Sequence, residues 1–239
     1  MTRSMLALAL ALTVVLVGCN GSGPKRFSTT IDNPYWPMRP LTRWTYHEVD
    51  ERGAVTVDTV IVTELTKRMA NGVTARVVRD TARLHGQIVE DTFDWYAQAA
   101  DGTVWYLGED TVELEHGKVT SRAGSWEAGK DGARAGIMVP AHPRTGMRYR
   151  EEYSKGNAED EGEVLSLDEM ADVPAGHYDH MLMIKDTSTL ETRSLEYKLY
   201  AKGVGPALAL GVSGDVDRES LVKVDRAPSG SGQGPLGSP

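Results

Sequence analysis

Any chemistry in this 239-residue chain has few places to come from. The densest is the segment Phe93-Asp94-Trp95-Tyr96-Ala97-Gln98, which turns at Asp101-Gly102 into Thr103-Val104-Trp105-Tyr106-Leu107-Gly108-Glu109. With a two-residue turn, Gln98 faces Trp105, Tyr96 faces Leu107 and Asp94 faces Glu109. Strand alternation then puts Phe93, Trp95, Ala97, Val104 and Tyr106 on one face, and Asp94, Tyr96, Gln98, Trp105, Leu107 and Glu109 on the other. Both faces are aromatic. Trp95, Tyr96, Trp105 and Tyr106 are therefore candidates for the wall of a site that takes an apolar ligand or a partner segment. The plainer alternative is a strand pair covered on both sides. Asp94 opposite Glu109 is a like-charge pair that needs a cation or a nearby Arg or Lys to offset it, which makes it a candidate calcium or zinc site. A slip of one residue in register would dissolve that pair.

The remaining candidates are weaker. His177 and His180 are the only close histidine pair, and in a strand they point to opposite faces; only a turn persisting after Pro174-Ala175-Gly176 brings them together. The acidic groups Glu109-Asp110 and Glu159-Asp160-Glu161 match no calcium-loop spacing. Ser213 follows Gly211 by two residues but lacks the second glycine of a nucleophile elbow, and there is no phosphate-cradling loop. The chain carries no catalytic motif and implies no cofactor.

The elements that would position these residues are strands. Arg52-Gly53, Asn71-Gly72, His85-Gly86, Asp101-Gly102 and His116-Gly117 recur every 14 to 19 residues between runs rich in Val, Thr, Ile, Tyr and Trp. That is the sequence form of consecutive β-hairpins with strands of about ten residues. The pattern relaxes into a long crossing loop between Ser121 and Gly146, which holds Trp126 and Pro140-Ala141-His142-Pro143. Strands resume at about 147–154, 158–167, 178–187, 193–201 and 216–225, and Ser166–Ala171 is the one place for a helical turn. The expected fold is all-β, with ten to twelve strands. It is a single large antiparallel, mostly up-and-down meander curled into an open barrel or half-barrel, because wide flat sheets and bare edges are disfavoured. Residues 33–226 form the β-domain, and the Pro/Gly/Ser-rich stretch 227–239 is expected to be a disordered tail.

The only cysteine, Cys19, closes Leu16-Val17-Gly18-Cys19 after the positive Arg3 and an apolar run, Met5–Val17, too short to span a bilayer. This order resembles the lipobox of bacterial lipoproteins. The resemblance implies a signal peptide over 1–18, cleavage before Cys19, lipid on its sulfur and, usually, acylation (palmitate) of the new amine. Residues 19–32 then form the lipidated N-terminus and tether, and the protein is extracytoplasmic, anchored to a bacterial membrane by lipid. The net charge of −8, or −9 once Arg3 is removed, excludes a basic nucleic-acid surface. Asn33-Pro34-Tyr35-Trp36-Pro37-Met38, Asp94-Trp95-Tyr96-Ala97-Gln98, Val104-Trp105-Tyr106-Leu107-Gly108-Glu109-Asp110 and Tyr197-Lys198-Leu199-Tyr200-Ala201-Lys202-Gly203-Val204-Gly205 resemble phrases of secreted bacterial proteins and lipoproteins with no established activity. That resemblance implies a large antiparallel sheet, with Pro206 interrupting the start of an apolar strand. The expected function is a non-catalytic binding or carrier module whose partner is an apolar ligand or an envelope protein. The alternatives are a metal-dependent binding protein or hydrolase using Asp94 and Glu109, and a structural envelope component.

Overall fold

The computed structural model describes residues 26–214 and 216–238. Cys19 and the signal-peptide segment lie outside the described residues. The described chain contains no helix, and it forms one nearly closed antiparallel barrel with a single unsealed seam.

Two meanders build the wall. The first comprises β2 (Thr42–Asp50), β3 (Val55–Arg68), β4 (Thr74–Leu84), β5 (Gln87–Ala99) and β6 (Val104–Glu115), with the short β1 (Phe27–Ser28) paired to β5. The chain then runs through β7 (Lys118–Ser121), β8 (Trp126–Glu127), β9 (Arg134–Val139), β10 (Arg148–Arg150) and β11 (Glu152–Tyr153). The second meander is β12 (Asp160–Val173), β13 (Gly176–Ser188), β14 (Leu195–Ala201), β15 (Gly205–Ser213) and β16 (Asp217–Arg226). The last strand pairs with β2, from Asp217↔Asp50 to Arg226↔Thr42, and so joins the two halves.

All five turn signals are turns, of two kinds. His85-Gly86 and His116-Gly117 are two-residue turns in which both residues have positive φ (51° and 79°; 51° and 73°), the type I′ form. The turns at Gly53, Gly72 and Gly102 span three residues; in the last, Ala99 N–H donates to Thr103 O at 2.9 Å.

Five expectations need correction. The crossing region is not a plain loop: β8 and β9 both pair with β6, and β11 pairs with β9. Ser166–Ala171 is strand, not a helical turn; β12 crosses it with three register shifts against β13, and such bulges disturb strand alternation in a sequence. Pro206 stands near the start of β15, paired with Tyr200 beside a register shift, where a missing N–H is tolerated. The ordered domain begins before residue 33, since β1 pairs with Gln98 and Ala99 and Ile31 is buried.

The segment 227–238 is not a free tail either. It lies over a buried ion pair on β4 and β5, where Arg79 Nε and Nη2 donate to Asp91 at 2.8 and 2.5 Å. Gly237 N–H donates to Asp91 Oδ2 at 2.6 Å, and Arg79 also donates to the Pro235 and Ser238 carbonyls. Glycines without Cβ atoms let this stretch lie flat on the sheet, so its composition serves contact here. Replacing Asp91 with Ala leaves a buried guanidinium unpaired and should cost about 3–5 kcal/mol in urea denaturation. Truncation after Ala227 should also lower the midpoint. An unchanged midpoint in both variants would overturn this account of the tail.

Candidate functional site

The aromatic hairpin adopts a register that its turn dictates. The three-residue loop Ala100–Gly102 sets Gln98 opposite Val104, Ala97 opposite Trp105 and Tyr96 opposite Tyr106, one residue away from the two-residue expectation. An extra residue at Leu107-Gly108 then restores Asp94 opposite Glu109. Gly108 has φ 125°, and a Cβ there would lie 2.2 Å from the Trp126 carbonyl oxygen, so this bulge requires glycine.

The corrected register divides the four aromatic candidates. Tyr96 and Tyr106 stack inside the barrel with centroids 5.0 Å apart. Trp36, from the segment 31–41 that plugs one end of the barrel, packs at 5.4 Å from Tyr96 and 6.0 Å from Tyr200. Trp95 lies on the opposite face beneath the Lys67 ammonium, 3.1 Å from its ring. Trp105 meets Phe27 edge-on at 6.1 Å, also away from the lumen. The structure therefore brings together Tyr96 and Tyr106, not Trp95 and Trp105.

Asp94 and Glu109 do share a partner. The Tyr106 hydroxyl lies 2.7 Å from Asp94 Oδ1 and 2.9 Å from Glu109 Oε2. One phenol proton cannot satisfy two carboxylates, so the arrangement is best held when one carboxyl keeps its own proton. Burial pushes Asp94 up to about 7, against the lowering effect of the Tyr106 hydrogen bond and with the charges of Glu90 and Asp58 adding to the rise. Burial and Asp94 push Glu109 up to about 8. Trp126 packs edge-on against Tyr106 and donates its indole N–H to Glu152 Oε2 at 3.0 Å, while burial and Asp160 raise Glu152 to about 8. Among the described residues, no group of three or more His, Cys, Asp or Glu is arranged to hold a metal ion. His177 and His180 each face their own aspartate across the β12–β13 hairpin, Asp172 at 2.8 Å and Asp168 at 2.5 Å.

Further along the lumen lies a cavity of about 180 Å³. Tyr46, Tyr96, Tyr200 and Trp36 supply aromatic walls, and Asp58, Asp80, Asp94 and Glu219 supply carboxyls. Lys198 is the one base in its lining. Burial and the Asp58 carboxyl raise Asp80 well above the usual carboxylate range, and burial with Asp58 does the same to Glu219. Burial works against the charge of Lys198, yet Asp186 and Glu196 outweigh it and hold the ammonium protonated. Sequence reasoning missed Asp58, Asp80, Glu219 and Lys198. Local alternation gave no signal for them: in Val55-Thr56-Val57-Asp58 the valines fall on the face opposite Asp58, Lys198 shares its strand face with Glu196, and Glu219 shares its face with Asp217. A second hollow of about 340 Å³ lies beside Lys67, Trp95, Trp126 and Glu127, but Glu127 already ties up both of its lysines, Lys67 at 3.0 Å and Lys130 at 2.6 Å.

The fold and site define a nearly closed antiparallel barrel with an acidic, aromatic lumen. No protein-family model matches the sequence, and no curated protein matches it. Two solved structures are similar in shape. One, from Bacteroides fragilis, is provisionally named as an exported protein with a YmcC-like fold. It is 14% identical, the match covers 80% of this chain and 98% of that one, and the TM-score is 0.48. The other, from Parabacteroides distasonis, is provisionally named as a lipoprotein. It is 12% identical, with 81% and 99% covered and a TM-score of 0.46. Neither likeness bears on function.

The raised carboxyl pKa values have a sign. Asp94, Glu109 and Glu152 bind protons more tightly folded than unfolded, so they stabilise the fold below the ordinary carboxylate pKa of about 4. That contribution is lost as pH rises through about 7 to 8. The melting temperature should fall between pH 5 and pH 9 (about one to two units either side of these values), and Asp94→Asn should flatten the fall. A Tm that climbs over this range in the wild-type protein would contradict the assignment.

Proposed function

We propose that this chain is a bacterial envelope lipoprotein, anchored by lipid on Cys19, whose barrel holds a small organic cation in its lumen without transforming it. The observation that carries the binding half is the hollow itself. Protein interiors are close-packed, and a barrel with no ligand to hold fills with side chains. Here the lining is aromatic and acidic, with Asp58, Asp80, Asp94 and Glu219 against the single ammonium of Lys198. Ring faces favour an ammonium or guanidinium group, and a bound cation offsets the burial that keeps the neighbouring carboxyls protonated. The volume of about 180 Å³ falls below the roughly 300 Å³ at which drug-sized pockets begin, so the lumen favours a compact polar guest over the acyl chain of an apolar ligand. The lipobox order of Arg3, the apolar run and Cys19 supports the anchoring half.

With the full chain in detergent, millimolar putrescine should raise Tm by several degrees, and myristate should not. Ala209 lines the cavity, and Ala209→Phe should fill it and abolish the rise. A shift with myristate and none with putrescine would reject the cation. For the anchor, an alkyne fatty acid fed to the expressing bacterium should label the wild-type protein and not Cys19→Ser; equal labelling would sink lipidation at this residue.

A further inference from the structure

Several buried polar groups around β10, β12 and β13 lack hydrogen bonds, and they meet at one place. Tyr149, Gly162, Asp186 and Glu196 stand directly opposite one another across β10, β12, β13 and β14. Gly162 leaves a gap in this row: a Cβ there would lie 2.7 Å from both Glu151 Oε1 and the Tyr149 ring. Glu151 Oε1, the Tyr149 hydroxyl and both oxygens of Asp186 receive or make no hydrogen bond. Glu151 is 5% exposed and Asp186 8% exposed, so water does not reach them from outside. One diagonal step away on β14, Lys198 places Nζ 2.8 Å from Asp186 Oδ2. The separation is that of a close ion pair.

We propose that Lys198 and Asp186 join in an intramolecular isopeptide bond, formed by the folded protein itself with Glu151 relaying the proton. An amine held against a buried carboxyl, with a second buried carboxyl alongside, is the arrangement that side-chain amide formation needs. Asp186 and Lys198 are the two charged groups that act most strongly on Glu151, and burial keeps both carboxyls towards their neutral acids. One proton passes from the Lys198 ammonium to the Asp186 carboxylate, which makes a neutral amine and a neutral acid together. Nζ then attacks Cγ and the N–C bond forms. A nitrogen proton travels through Glu151 to the departing hydroxyl, the C–O bond breaks, and one water leaves. Glu151 ends as it began, and no other reactant is consumed. The product is a neutral amide in place of an ion pair whose carboxylate is buried, which removes the desolvation cost of that charge. Since the ammonium is the resting form, the bond forms slowly after folding. Glu196 also lies 3.0 Å from Lys198 Nζ, but its side chain is 32% exposed and its charge is hydrated, so Asp186 is the acylated partner.

The bond staples β13 to β14 at the mouth of the irregular loop 189–194, and it would remove the one ammonium from the lining of the acidic cavity. Intact mass spectrometry of the purified full chain tests it directly. After allowance for each substitution, the wild-type chain should be lighter than Lys198→Arg and Asp186→Ala by the mass of one water, and digestion should release a branched peptide joining residues 186 and 198. Glu151→Gln keeps both bonding partners and should show the unreacted mass in most molecules. A wild-type chain at its full mass, or a branch mapped to Glu196, overturns the bond. A Glu151→Gln chain that reacts as fast as wild type overturns the relay. The readout is mass, so a variant that folds poorly still reports against its own digest and the wild-type branched peptide.

Discussion

The barrel depends on one stretch of six residues. In Arg148–Tyr153, β10 hydrogen-bonds to β12 on one side and β11 hydrogen-bonds to β9 on the other, with Glu151 between them. Glu151 N–H donates to the Asp160 carbonyl at 2.8 Å, and Gly136 allows the close approach, since a Cβ there would lie 2.2 Å from the Glu151 carbonyl oxygen. Without this stretch, the sheet would present two long edges and an open concave face. With it, the inward side chains of ten long strands are withdrawn from bulk water.

The electrostatics of the interior follow from that withdrawal. Carboxyls spaced around a wall would be ordinary surface groups on a flat sheet. Enclosed together, they resist ionisation, which is why Asp80, Asp94, Glu109, Glu151, Glu152 and Glu219 all shift upward, with burial the largest cause in each. The plug segment reinforces the enclosure. Asn33 accepts from Tyr35 N–H and donates to the Gly102 and Pro140 carbonyls, which sets Trp36 against Tyr96 and Tyr200. An apolar end and an acidic middle thus occupy one lumen, and Lys198 sits where the acids are most crowded.

Much of this was legible in the chain. Gly beside Arg, Asn, His and Asp marked five turns correctly, because positive φ is required there and few residues supply it. What escaped was non-local. The hairpin at Asp101-Gly102 looked the same as the one at His85-Gly86, yet three residues form one loop and two form the other, and the difference moves Tyr106 from one face to the other. Gly108 restores the Asp94–Glu109 pair only because β8 lies against it. Residues 227–238 have the composition of a free tail, and only the Arg79–Asp91 pair beneath them explains why they lie down.

The sequence by itself determined the all-β class and the strand-and-turn rhythm, because these rest on local backbone preference and alternation, whereas Asp94 meets Glu109 only through the bulge at Gly108 against β8. Tertiary structure decided which aromatic rings share an interior, that β16 closes onto β2, and that Asp58, Asp80, Glu219 and Lys198 meet around one hollow. Those residues come from four strands spread over more than half the chain. Their neighbourhood is a property of closure, which no periodicity within a single strand encodes.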